Sequence, residues 1–169
     1  MSATLQRDQA CALAKTSPKL ALAKALTIPD PWFRAQALSW VARFTDDDPR
    51  PIARQAAKVA TECDDDYKRS AAKAWEIAAL AERDFKQEAR KCLQEAIQVA
   101  RTVQPSSSRS EALLMLYQSA FAISSAEADK VGDILISTCS AEEHWRCARA
   151  VRDVGKIRNG ELAPRSFFW

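Results

Sequence analysis

An arginine-anchored motif recurs along the chain, and it constrains the fold more than any other feature of the sequence. The five arginines follow one another at intervals of 27, 35, 40 and 37 residues: Arg7, Arg34, Arg69, Arg109 and Arg146. In the first four copies a small residue follows three positions later and a bulky residue six positions later: Ala10 and Leu13, Ala37 and Trp40, Ala72 and Trp75, Ala112 and Met115. A repeat of roughly two helices predicts stacked helical hairpins.

Apolar residues follow helical spacing between short stops that contain proline, aspartate or serine. Ala37, Trp40, Val41 and Phe44, for example, are spaced as one face of a helix. With only three glycines and no alternating segment, the chain is predicted to be all-α. We predict nine helices, over residues 3–15, 18–27, 31–44, 49–62, 66–82, 84–103, 108–123, 125–138 and 141–157.

The stops between helices have the chemistry of helix starts. Pro31 suits the first turn of a helix and biases Asp30 away from helical angles, so that Asp30 can act as the N-cap. Asp66 and the serines at 106–108 are expected to cap their own helices in the same way. One arginine close to one aspartate at each junction also predicts a ladder of ion pairs along an edge of the stack.

The strings IPDPWFRAQAL, DDDPRPIARQAA and CDDDYKRSAAKAW resemble the junctions of HEAT-type αα-repeats, over roughly residues 28–123. This resemblance implies an αα-superhelix, a right-handed solenoid, of about four to five helical hairpins. It also implies a protein that holds other macromolecules, and it carries over no catalytic residue. We expect one helical-repeat domain over residues 1–160 and a C-terminal aromatic tail over 161–169.

The positive charge of the chain is concentrated near its C-terminal end. The formal net charge is +3, and six cations against two acids lie from His144 onward. The last predicted helix places its apolar residues on one face and a basic stripe on the other: Trp145, Arg146, Arg149, Arg152 and Lys156. Such a stripe could bind nucleic acid or an acidic partner, although a solvated helix face explains it as well.

No pattern in the sequence points to catalysis, a cofactor or a metal. A glycine-rich phosphate loop is absent, and the acid triplets 46–48 and 64–66 fit N-caps better than metal ligands. Cys139, His144 and Cys147 would supply only three zinc ligands at irregular spacing. We therefore expect no enzyme, with a tryptophan–aspartate cleft on a HEAT-like frame as a remote alternative. The five unpaired cysteines favour the cytosol, and no apolar stretch predicts a membrane span.

These observations predict a non-catalytic scaffold that binds another protein on the concave face of the solenoid. Polar residues on the second helices of the hairpins are expected to line that face: Arg54, Lys58, Arg90, Lys91, Gln94 and Gln98. Trp40 and Trp75 are expected to fill the layers between hairpins. Phe167, Phe168 and Trp169 are expected to fold back over the last hairpin, or otherwise to form an exposed motif for a partner.

Overall fold

The computed structural model describes all 169 residues, of which 72% are helical and none lies in a strand. The all-α prediction is confirmed. The helices are α1 (Ala3–Ala14), α2 (Pro18–Leu26), α3 (Pro31–Phe44), α4 (Arg50–Thr61), α5 (Asp66–Ala71), α6 (Lys73–Glu82), α7 (Lys86–Ala100), α8 (Ser106–Ala120), α9 (Ser125–Cys139) and α10 (Trp145–Arg158). No helix is both long and apolar enough to cross a membrane.

Two predicted helices differ most from the structure, and the others agree with it to within three residues at each end. The helix predicted over 66–82 is interrupted at Ala72, because the Ser70 hydroxyl donates to the carbonyls of Asp66 and Tyr67 at 2.8 and 3.0 Å and competes with the helical ladder. The last helix begins at Trp145 rather than near residue 141, because the His144 ring accepts a hydrogen bond from the Arg146 N–H and caps it.

Successive helices pair into hairpins, and each hairpin packs on the next. The pairs are α1 with α2, α3 with α4, α6 with α7, and α8 with α9. The first helices also pack on one another in chain order, α1 on α3, α3 on α6, α6 on α8 and α8 on α10. We call α1, α3, α5, α6, α8 and α10 the first-helix row. The second helices, α2, α4, α7 and α9, make their main contacts with that row.

Small residues allow the first helices to approach closely. The alanines three positions after the repeat arginines are all buried: Ala10, Ala37, Ala72 and Ala112. A cluster of 35 buried residues, many of them alanine, contains residues from all the hairpins, and a smaller cluster of ten lies near α1 to α4. The core therefore combines close helix contacts at alanine with large buried side chains such as Leu38, Ile77 and Tyr117.

The junctions match part of what the sequence predicts. Asp30 caps α3 by accepting the Trp32 N–H at 2.9 Å, with Pro31 in the first turn. The cap of α5 is Asp65 and not Asp66, because Asp65 is the residue with extended backbone whose carboxylate reaches the Lys68 N–H. The serines at 106–108 make no cap hydrogen bond at α8, where the preceding residue is Pro105.

Ion pairs form at four of the five repeat arginines, although aspartate is the partner in only two. Arg7 pairs with Asp8, Arg34 with Glu62, Arg69 with Asp66 and Arg109 with Glu142, while Arg146 lies on an indole ring. Arg34 and Arg69 also donate to the carbonyl six residues earlier, Ile28 and Cys63. At α3 and α5 the arginine therefore ties the helix start to the end of the preceding hairpin.

Arg83, just after α6, joins the second and third hairpins. Its guanidinium donates to four carbonyls around the end of α3: Thr45 at 2.6 Å, Ala42 at 3.2 Å, Arg43 at 3.4 Å and Asp47 at 3.3 Å. Carbonyls in the last turn of a helix have no partner within the helix. Arg83 supplies that partner from the next hairpin.

We expect Arg83→Ala to lower the free energy of unfolding by about 1–2 kcal/mol, because the carbonyls lose a charged donor in a partly buried setting. Urea denaturation measures this loss. Arg101→Ala is the control, because Arg101 is exposed and its side chain makes no hydrogen bond or ion pair. Equal stability of the two variants would contradict the role assigned to Arg83.

Candidate functional site

The first-helix row carries a strip of aromatic side chains that we call the aromatic face: Trp32, Trp40, Phe44, Tyr67 and Trp75. Trp32 stacks on Tyr67 with ring centroids 6.0 Å apart and meets the edge of Trp75 at 5.8 Å. Trp40 and Trp75 occupy the bulky position of the repeat motif. Because α3 packs on α6, these equivalent positions come to lie side by side.

The C-terminal tail covers the aromatic face. The ring centroids of Phe167 and Trp75 are 5.5 Å apart. Those of Phe168 and Trp169 lie 5.5 and 5.1 Å from the ring centroid of Trp40. All three contacts are edge-to-face, the geometry that the aromatic quadrupole favours. Both the tail and the neighbouring helices bury Trp40 and Trp75.

The tail folds back much further than expected. The sequence predicted a lid over the last hairpin, whereas the contacts lie on the second and third hairpins. Gly160, at φ +75, ends α10 in a conformation that suits glycine and reverses the chain. Arg165 then passes Met115 of α8, with 3.4 Å between its Nη1 and the sulfur. The tail thus follows the bulky motif positions from Met115 to Trp75 to Trp40.

Arg165 adds a cationic contact to the aromatic ones. Its guanidinium carbon lies 5.2 Å from the Trp75 ring centroid and 5.3 Å from that of Phe167. Within about 6 Å of a ring face, a cation is attracted by the ring electrons. The aromatic face therefore holds a non-helical segment in which an arginine precedes a run of aromatic residues.

A cavity of about 460 Å³ lies beside the end of the tail, between α1, α3 and α6. Its walls include Trp40, Trp75 and Trp169 together with Arg7 and Lys15. The Lys15 ammonium lies 5.5 Å from the Trp40 ring. The cavity therefore leaves space beside the tail, bordered by Lys15 and by the Arg7–Asp8 ion pair.

The predicted basic stripe lies on α10, beside a second cavity of about 360 Å³. Trp145 is 62% exposed. The guanidinium carbons of Arg146 and Arg149 lie 5.4 and 5.7 Å from its ring centroid. Arg149 also pairs with Glu111, which neutralises part of the stripe. Arg152 and Lys156 are exposed and lie outside this cavity.

The six residues predicted to bind a partner lie on α4 and α7, in the second helices and away from the aromatic face: Arg54, Lys58, Arg90, Lys91, Gln94 and Gln98. Arg90 forms an ion pair with Glu127 of α9 at 3.5 Å. Arg54 and Lys91 line one cavity of about 420 Å³, which we call the α4–α7 cleft. The role of these six residues stays a prediction.

A polar cluster that sequence reasoning missed lies between α6 and α7: Lys73, Glu76, Cys92 and Glu95. The Cys92 thiol donates to Oε1 of Glu76 at 3.0 Å, and Lys73 pairs with Glu95 at 3.5 Å. Glu76 is 3% exposed, and its Oε2 atom has no hydrogen-bond partner. Burial raises the pKa of Glu76 to about 7, opposed in part by the Cys92 hydrogen bond and by the charge of Lys73.

The repeat motif contains the signal that would have revealed this cluster. Seven positions after the arginine, Glu76 stands where the second and fourth hairpins have the buried Val41 and Leu116. Four positions after the same arginine, Lys73 stands where those two hairpins have a buried leucine. The third hairpin therefore has two charged residues at positions that its neighbours use for the core.

No protein-family model, curated protein or solved structure matches this chain. The candidate sites therefore rest on the geometry and chemistry of the chain itself.

We expect the tail side chains to contribute to stability in order of burial. Phe167 is 2% exposed and Trp169 is 67% exposed. Phe167→Ala should lower the free energy of unfolding by about 3 kcal/mol, as loss of a buried phenylalanine does, and Trp169→Ala by about 1 kcal/mol or less. Urea denaturation of both variants checks the order, and a larger loss for Trp169→Ala would contradict the placement of the tail.

Glu76 should make stability depend on pH. Because its pKa is raised from 4.5 to about 7 in the folded chain, the folded state binds the proton more tightly than the unfolded state does. Its favourable contribution is complete below pH 4.5 and disappears as the pH rises through 7. The difference in unfolding free energy between wild type and Glu76→Gln should fall by roughly 3 kcal/mol across this range.

Denaturation at a series of pH values measures that difference, with Glu143→Gln as the matched control on an exposed carboxylate that forms no ion pair. Parallel pH profiles for wild type and Glu76→Gln would show that the Glu76 carboxyl is not perturbed.

Proposed function

We propose that this protein is a non-catalytic helical-repeat scaffold that binds a segment of another protein on its aromatic face. The tail itself is the observation that supports the proposal, because residues 165–169 lie as a non-helical segment across Met115, Trp75 and Trp40. A face that accepts one such segment from its own chain has the shape and chemistry to accept another.

We propose a right-handed, HEAT-like solenoid as the frame for this function, and the contacts between successive hairpins support the stacking that such a frame requires. Extensive contacts link each hairpin to the one before and the one after it, as in a quasi-one-dimensional stack. The close packing of the first-helix row favours that row as the concave side, since tightly packed helices line the inside of a curve. We therefore place the binding surface on the first helices and not on Arg54, Lys58 and the other second-helix residues.

The tail defines the chemistry of the partner. The segment has an arginine two residues before the first of three aromatic residues, so that its guanidinium and Phe167 both reach Trp75. Phe168 and Trp169 then reach Trp40. The partner is expected to carry the same order of a cation and then aromatic residues in an extended segment.

The tail and the partner would compete for the same surface. Only a few residues separate Gly160 from Arg165, and a short tether holds a segment at an effective concentration in roughly the millimolar range. A partner must overcome that advantage. Release of the outer residues, Phe168 and the exposed Trp169, would favour its entry.

The basic stripe on α10 is less favoured as the binding surface. Trp145 is exposed and flanked by two arginines, which suits a base or an acidic group. Glu111, however, already pairs with Arg149, and no segment lies on the stripe. The enzyme alternative has no support from Trp40 and Trp75, which are covered by aromatic side chains.

The test is binding of a labelled peptide spanning residues 162–169 to the full chain, followed by fluorescence anisotropy. In Phe168→Ala/Trp169→Ala the outer tail contacts are lost while the buried Phe167 remains, so we expect this variant to bind the peptide at least about tenfold more tightly than wild type does. Adding Trp40→Ala to the variant should abolish the gain.

A peptide with alanine in place of its three aromatic residues is the control, and it should bind neither chain. Absence of binding to the Phe168→Ala/Trp169→Ala variant, with the chain folded by circular dichroism, would refute the proposed function.

A further inference from the structure

The α4–α7 cleft lies on the second-helix side of the molecule, separate from the aromatic face, and no part of the tail enters it. It has a volume of about 420 Å³ between α4 and α7, with residues of α6 also in its walls. Four charged residues in its walls bear on what the cleft can bind: Arg50, Arg54, Glu76 and Lys91. The volume suits a small molecule.

Glu76 supplies an unsatisfied acceptor in the wall of the cleft. Glu76 is only 3% exposed, and its Oε2 atom has no hydrogen-bond partner. A buried carboxylate oxygen without a hydrogen bond costs about 1–3 kcal/mol or more, and the neighbouring hairpins avoid this cost with valine or leucine. A donor from a ligand would satisfy Oε2.

The nearby cations do not fill this role. Lys73 pairs with Glu95 at 3.5 Å, and the Cys92 thiol contacts only Oε1 of Glu76. Arg50 is held by Asp48 at 2.9 Å and by Glu88 at 3.8 Å, and it lies over the Phe85 ring. The carboxylates of Glu88 and Glu95 are therefore already paired, whereas that of Glu76 is not.

Two cations of the cleft are free to meet an anion. Arg54 and Lys91 are exposed, and neither forms an ion pair with any residue of the chain. A simple cation entering the cleft would be repelled by these two groups, and a simple anion would leave Oε2 of Glu76 without a donor. A ligand with both charges satisfies both Glu76 and the two cations.

We infer that the α4–α7 cleft binds a small zwitterion, with its ammonium group on Glu76 and its carboxylate on Arg54 and Lys91. The class is that of free amino acids and other aminocarboxylates. This site does not involve the aromatic face. A failure of the proposed peptide binding therefore leaves this inference unaffected, and the reverse is also true. The ammonium supplies up to three donors, of which Oε2 takes one.

The test is isothermal titration calorimetry of the full chain at pH 8, where Glu76 is mostly ionised. The probes are glycine, β-alanine, 4-aminobutyrate and 6-aminohexanoate, which separate the two charges by increasing lengths, with butylamine and butyrate as single-charge controls. At least one zwitterion should bind about tenfold or more tightly than either control does, because each charge-assisted contact contributes on this scale.

Variants separate the site from general electrostatic attraction. Glu76→Gln and, independently, Arg54→Ala/Lys91→Ala should each weaken the best zwitterion about tenfold or more. The exposed pair Glu143→Gln and Arg101→Ala should leave its affinity unchanged. Because Arg54 and Lys91 are exposed, their double variant tests the inference even where Glu76→Gln alters folding.

Two results would overturn the inference. One is the absence of measurable binding by all four zwitterions to the folded wild-type chain. The other is binding that butylamine or butyrate matches, or that survives the Arg54→Ala/Lys91→Ala substitutions unchanged.

Discussion

The close approach of successive first helices is the constraint on which the rest of the structure depends. Ala37, Ala72 and Ala112 are buried where these helices meet, and a larger side chain at any of them would force two hairpins apart. This contact also sets the alignment of the bulky residues three positions further on. Trp40, Trp75 and Met115 therefore form one continuous strip instead of separate patches, and the tail follows that strip.

The tail has one end that belongs to the core and another that is mostly exposed. Phe167 is part of the main hydrophobic cluster, whereas Trp169 touches Trp40 by one edge and is mostly exposed. A segment with this gradient can loosen from its outer end without exposing the whole core. Under the proposed function, this gradient would let the chain keep its aromatic surface covered until a partner of similar chemistry replaces the outer tail residues.

The third hairpin differs from its neighbours on both sides. Trp75 and Glu76 are consecutive on α6, yet Trp75 lines the cavity at the tail and Glu76 lines the α4–α7 cleft. Trp75 follows the repeat motif, and Glu76 breaks it. The helices of the third hairpin pack mainly on those of the neighbouring hairpins, so the cost of a charged residue at one of its core positions stays local.

The sequence by itself determined most of the helix bounds, the Asp30–Pro31 helix start and the equivalence of Trp40 with Trp75, because these follow from spacing and capping within one or two helices. The sequence also shows Glu76 as a charged residue at a core position of the motif. Only the tertiary structure decided where residues 165–169 lie and that Oε2 of Glu76 has no partner. Both depend on contacts between residues far apart in the chain, and the periodicity of a helix holds no information about which distant hairpin its neighbours will meet.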